Sequence, residues 1–178
     1  MKHIIFCLMS GLVLSSIAAG LSVQGGSPQP QRKAYRKQEP VRQTMLTWLE
    51  CDECTEGQLE AVVKLGLLAM PRLTQALLNG PSAGTRALKR DHLIETYHKV
   101  QSYQLSQKLE PLAMSEREYV QLYLRNFTAL YQTRAARALA AIGGEQARKA
   151  LTTALKLRLR KDVRAAVRDS LERINNPK

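Results

Sequence analysis

The chain is short of the residues that do chemistry. Its 178 residues include three histidines and three cysteines. A zinc site built on Cys51 and Cys54 would need two further ligands, and His92 and His98, six residues apart, do not share a helical face. Thr55 stands where a haem-attachment motif requires histidine. Gly143 and Gly144 are followed by no Gly-Lys-Ser/Thr, which excludes a phosphate loop. Glu50, Asp52, Glu53, Glu56 and Glu60 cluster in sequence but lack the spacing of a calcium loop; acidic residues there suit helix N-termini. No metal, cofactor or catalytic residue is therefore expected, and the chain reads as a non-enzyme.

Long apolar runs are also scarce. Residues 4–19 form one, interrupted by Ser10, Gly11, Ser15 and Ser16, and it is short for a bilayer span. With Lys2 and His3 ahead of it and Ala18-Ala19-Gly20 at its end, it has the form of a secretory signal over residues 1–20. Cys7 would leave with that segment. Its removal also takes Lys2, so the formal charge moves from +12 to +11. The expected location is periplasmic or secreted, with no membrane span after signal removal. Residues 21–39 are rich in Gly, Pro, Gln, Ser and Lys/Arg and are expected to form a disordered basic linker. That leaves one domain, residues 40–176.

What the domain does have is helical periodicity. Val120, Leu124, Phe127, Tyr131, Ala135, Ala138 and Ile142 fall three or four apart and describe one stripe on a helix. Gly143 and Gly144 end it, and Ala147, Leu151, Ala154 and Leu155 start the same pattern again. The expected unit is a tight helical hairpin with alanines at the crossing. Tyr131, Ala135, Ala138, Leu139 and Ile142 superpose on Val163, Val167, Ser170, Leu171 and Ile174 at a constant shift of 32 residues. Upstream, Ala61, Val62, Leu65 and Gly66 echo Ala138, Leu139, Ile142 and Gly143. Ala69, Leu73, Ala76 and Leu77 then echo Ala147, Leu151, Ala154 and Leu155, one residue further along, as an extra glycine in the later corner would require. A helical pair recurring in this way is the mark of an α-solenoid.

These residues resemble HEAT-like repeats, above all the short variety named after phycobilisome lyases, whose repeats read roughly V-R-x-x-A-x-x-A-L-x-x-I-G. Val163-Arg164, Leu171 and Ile174 match that pattern, as do Ala135, Ala138-Leu139 and Ile142-Gly143. Leu65-Gly66, Ala69-Met70-Pro71 and Leu73 are similar to the general HEAT hairpin. The resemblance covers about half the chain. It implies an all-α fold, a short α-solenoid of helical hairpins, and nothing about lyase chemistry, since such repeats scaffold many unrelated functions.

The remaining elements follow from local signals. Pro40 suits the first turn of a helix. Thr55 with Gln58, and Ser115 with Glu118, are capping boxes that open helices, the second running to Ile142. Residues 84–106 form another long helix with Leu93, Tyr97 and Val100 inward. These two long helices intervene between the hairpins and either replace a repeat or form a binding ledge. The last helix, 162–174, is a half-repeat whose Arg164, Arg168 and Arg173 are expected to give it a polar outer face.

Two features point outward. From Arg148 to Lys178 ten Lys/Arg stand against three Asp/Glu. Lys156, Arg158, Arg160, Lys161, Arg164 and Arg168 are the expected face for an anionic partner: an acidic protein, an envelope polymer, lipid headgroups or nucleic acid. Leucines rather than stacking aromatics separate these charges, which speaks against nucleic acid. Cys51-x-x-Cys54 is the other feature. In an oxidising compartment it is expected to be a structural disulfide stapling a turn. The rival role, accessory thiol–disulfide chemistry, lacks a βαβ context and has Asp52 and Glu53 between the sulfurs to oppose a thiolate. The expected function is a non-catalytic protein-binding or scaffold module of the cell envelope. The alternatives are that thiol role and an anion-binding envelope protein.

Overall fold

A computed structural model describes residues 29–176, with side chains from Glu39 onward. The expectations for residues 1–28, including the signal, lie outside the described residues. The chain is all-α. Helices α1 (Gln29–Leu49), α2 (Glu56–Leu65), α3 (Met70–Asn79), α4 (Ala83–Ser106), α5 (Glu116–Ile142), α6 (Gly144–Leu155) and α7 (Lys161–Asn175) follow one another, and there is no strand among the described residues.

The capping residues set the boundaries. Thr55 accepts from the Gln58 amide and the Gln58 side chain returns to the Thr55 amide, which opens α2. Ser115 and Glu118 do the same for α5. Pro71 sits in the first turn of α3, where its missing N–H costs nothing. Gly143, at φ 74°, closes α5 by donating to the Leu139 carbonyl, and α6 begins at the next residue. The first corner instead runs through a 3₁₀ turn, Gly66–Leu68, with only Gly66 at positive φ.

One boundary differs from expectation. Helix α1 begins at Gln29, so residues 29–39 of the segment expected to be disordered are helical, and Pro40 lies inside the helix rather than at its first turn. Lys, Arg, Gln and Glu are good helix formers, and a basic composition that cannot build a core does not prevent a stretch from extending an anchored helix. The anchor is the C-terminal half: Met45, Trp48 and Leu49 are buried.

Helix α5 is the centre of the molecule. It touches α1, α2, α3, α4, α6 and α7. Its Ala135, Ala136, Ala138 and Leu139 are fully buried, as are Val62, Leu73, Leu77, Ala147, Leu151, Ala154, Val163 and Val167 from its neighbours. The alanines let backbones approach closely, and each fully buried leucine contributes about 2 kcal/mol of transfer free energy. Helix α2 packs on α5 and α5 on α7, while α3 packs on α6. Helix α3 also packs extensively on α5, so the contacts are not confined to first helix on first and second on second.

A hydrogen bond repeats with this arrangement. Gln132 Nε2 donates to the Leu77 carbonyl at 3.0 Å. Arg164 donates to the Leu155 carbonyl at 3.0 Å and the Leu157 carbonyl at 2.8 Å. Gln132 and Arg164 are 32 residues apart, and Leu77 and Leu155 are paired by the other internal shift. In both places one residue position on a first helix ties down the C-terminal carbonyls of the preceding second helix.

Candidate functional site

A groove forms where three segments converge beside the middle of α5. Helix α4 is brought there by the tight turn after α3. Gly80 holds φ 71°, and a Cβ on it would meet Thr128 Cγ2 of α5 at 3.0 Å, so the turn lies directly on α5 only because it carries no side chain. Buried Pro81 follows, and Ser82 caps α4 by accepting from the Thr85 amide. Helix α4 then runs antiparallel to the first half of α5. Its far end is fixed by Tyr97, which donates to the Met114 carbonyl, and by Gln101, which donates to Tyr97 and accepts from the Leu112 amide.

The third wall is the connection between α6 and α7. Arg164 holds the Leu155 carbonyl at the end of α6 and the Leu157 carbonyl of the connection. Arg160 pairs with Asp162 and also donates to Asn126 of α5 at 2.8 Å, which pins the loop across the helix. This pair holds the Asp162 carboxyl below the ordinary carboxylate range, chiefly through the hydrogen bond from Arg160.

The resulting space is about 650 Å³ and open to solvent. Leu78, Ala87, Leu124, Ala129, Leu157 and Leu159 supply its apolar surface. Arg86 and Arg90 stand on the α4 side, Arg125 on α5, and Arg158 and Arg160 on the loop side. Among the described residues, no carboxylate lines it. Arg90 is paired with Asp91 and Arg160 with Asp162. Among the described residues, the guanidiniums of Arg86, Arg125 and Arg158 make no ion pair or side-chain hydrogen bond. Such a site can hold an anionic surface with an apolar stripe.

The expected anionic-partner face is therefore redistributed. Arg158 and Arg160 line the groove; Lys156, Lys161 and Arg168 are exposed but stand outside it. Arg164 faces the α6 carbonyls and is a capping residue, because the orphan carbonyls at a helix end are the nearest strong acceptors. It does not contribute to the polar outer face of α7. Arg86, Arg90 and Arg125 were not legible as site residues. Their one sequence signal is the i, i+4 spacing of Arg86 and Arg90, and only tertiary packing brings them opposite Arg158.

Cys51 and Cys54 are disulfide-bonded, with Cα atoms 5.3 Å apart, in the turn between α1 and α2. That turn is also held by α5: Trp48 Nε1 donates to the Arg134 carbonyl at 3.1 Å, and Arg134 returns a bond to the Leu49 carbonyl at 3.0 Å. Cys54 shares a shallow hollow with Trp48, Arg137 and Arg173. His92 is exposed, and His98 Nε2 lies 3.0 Å from Glu116, bridging α4 and α5. Among the described residues, no helix is long and apolar enough to cross a membrane by itself.

Comparison with family models, with curated proteins and with solved structures finds no match to this chain. The site's geometry alone bears on function.

Proposed function

We propose that this protein is a non-catalytic binding module of the HEAT-like repeat kind, working in the periplasm or outside the cell, that holds an acidic partner protein in the groove between α4, α5 and the α6–α7 connection. The observation that carries this reading is the groove itself: five guanidiniums and no carboxylate around an apolar floor. Cations gathered on a concave surface raise the local concentration of an anionic partner and speed its association. Apolar floor area then supplies affinity that charge alone does not. The paired hydrogen bonds from Gln132 and Arg164 support the repeat reading, since equivalent positions perform the same task.

The test is charge reversal at the three unpaired rim arginines, Arg86→Glu, Arg125→Glu and Arg158→Glu together. Capture of an acidic protein ligand should fall by at least about a hundredfold at low salt, the scale of losing three close charge interactions. The wild-type interaction should also weaken with added salt. Capture that is indifferent to both changes would remove the groove as the site.

One observation favours a second reading, accessory thiol–disulfide chemistry. Cys54 is exposed beside Arg137 and Arg173, cations that would favour its thiolate once the disulfide is reduced. A measurable disulfide-reductase activity lost in Cys54→Ser, with the fold intact, would support it over the staple role.

A further inference from the structure

Granted that the groove is the partner site, on which the identity of its occupant rests, its shape narrows what fits there. We infer that the occupant is an amphipathic acidic helix about two turns long, presenting a narrow apolar stripe with carboxylates on both sides.

Length is the first constraint. The lining runs over residues 83–90 of α4 and 124–132 of α5. At 1.5 Å per residue these are about 10 and 12 Å, or about two turns of a docked helix. The groove's lining includes small side chains, Ala83 and Ala87 on α4 and Thr128 and Ala129 on α5, spaced one turn apart or adjacent. A trough of small residues between two helices is what a third helix needs to seat its ridge. Leu78, Leu124, Leu157 and Leu159 then meet the inserted stripe from the sides.

Backbone chemistry separates a helix from an extended segment. The third wall is a loop, but along α5 the amides and carbonyls are bonded within the helix, and in the opening turns of α4 the Thr85 and Arg86 amides are already bonded to Ser82. An extended peptide would find no ladder of partners there, whereas a helix brings its own hydrogen bonds satisfied. The charges agree with this. Arg86 and Arg90 form one rim and Arg158 and Arg160 the other. Carboxylates on both flanks of the stripe would each meet a guanidinium, and charge-assisted pairs with arginine are directional enough to fix the register.

The probe is a synthetic end-capped peptide of about four helical turns, with leucines at i, i+4 and i+7 and glutamates flanking them. A control peptide has the same composition with its leucines dispersed around the helix. Binding to the full chain is read by fluorescence anisotropy. The striped peptide should bind at least about tenfold more tightly than the dispersed one, a difference of about 1.4 kcal/mol. Ala87→Trp, which fills the floor without changing charge, should weaken it by about tenfold. Ala83→Trp, at an exposed lining position, serves if Ala87→Trp lowers the melting temperature. The triple arginine reversal should abolish the salt dependence.

Equal affinity for the two peptides would overturn the helix inference while leaving an acidic-partner groove standing. Preferential binding to phosphatidylglycerol vesicles, or salt-sensitive self-association lost in Arg158→Glu, would overturn both the helix and the acidic protein partner, making the occupant a lipid surface or a second copy. Peptide binding unaffected by the triple reversal would overturn the helix and the groove together.

Discussion

Arg164 shows how far a single side chain can stand from what its charge suggests. In sequence it belongs to a basic run; in three dimensions it closes the last turn of α6. Arg164→Ala should therefore cost about 1–2 kcal/mol of stability in denaturant unfolding, the range for a hydrogen bond from a charged group. Arg164→Gln should recover most of it, because Gln132 performs the same task at the equivalent position. Arg168→Ala, at an exposed position, should stay within about 0.5 kcal/mol. Tyr131 makes a second test at this scale. Burial, with the negative charge of Glu50 behind it, pushes its phenol up to about 12. A raised folded-state pKa means the stabilisation is complete below the ordinary tyrosine range and is lost as pH rises through the folded value. An alkaline absorbance titration should show Tyr131 as the last step, after Tyr119, which is also raised by burial, and Tyr131→Phe should remove that last step.

Elements were legible where their signals are local. Both capping boxes, the Gly143 corner and the four-three stripe of α5 depend on residues a few positions apart, and each appears where the spacing puts it. The Glu118 carboxyl, held below its ordinary range chiefly by the Ser115 backbone amide, gives this a pH dependence. Its contribution is present above the ordinary carboxylate pKa and lost as pH falls through the depressed one. Protection of the amides over residues 116–119, relative to their intrinsic exchange rates, should fall in acid, and Glu118→Gln should blunt the effect. The α1–α2 staple is equally local: Cys51→Ser with Cys54→Ser should lower stability by about 2 kcal/mol, the chain-entropy value for so short a loop, and leave peptide capture intact. The start of α1 was not legible, because composition weighs the lack of a core against order and ignores an anchored helix downstream. Nor was the groove. Ala83, Ala87 and Ala129 resemble ordinary helix residues, and their use as a floor exists only once Gly80 has laid α4 on α5.

At the scale of the molecule the charges have a cost as well as a use. The chain carries a formal +12, and the groove concentrates five guanidiniums around apolar surface. Three of them have no ion pair among the described residues, so the empty groove is a place of like-charge repulsion. An anion that enters it relieves that repulsion in the folded state and has no equivalent site in the unfolded chain, which by linkage raises stability. Sulfate should therefore raise the melting temperature more than chloride at matched ionic strength. Part of that rise is general exclusion of sulfate from protein surface, which any folded chain shares. The triple reversal of Arg86, Arg125 and Arg158 separates the two contributions, since it leaves the general one and removes the specific one. The variant should keep only part of the sulfate increment, and in low salt its own melting temperature should match or exceed that of the wild type. Equal increments in the two proteins would mean that the rim arginines are too well solvated to act as one site, and the groove would lose its claim to an acidic partner.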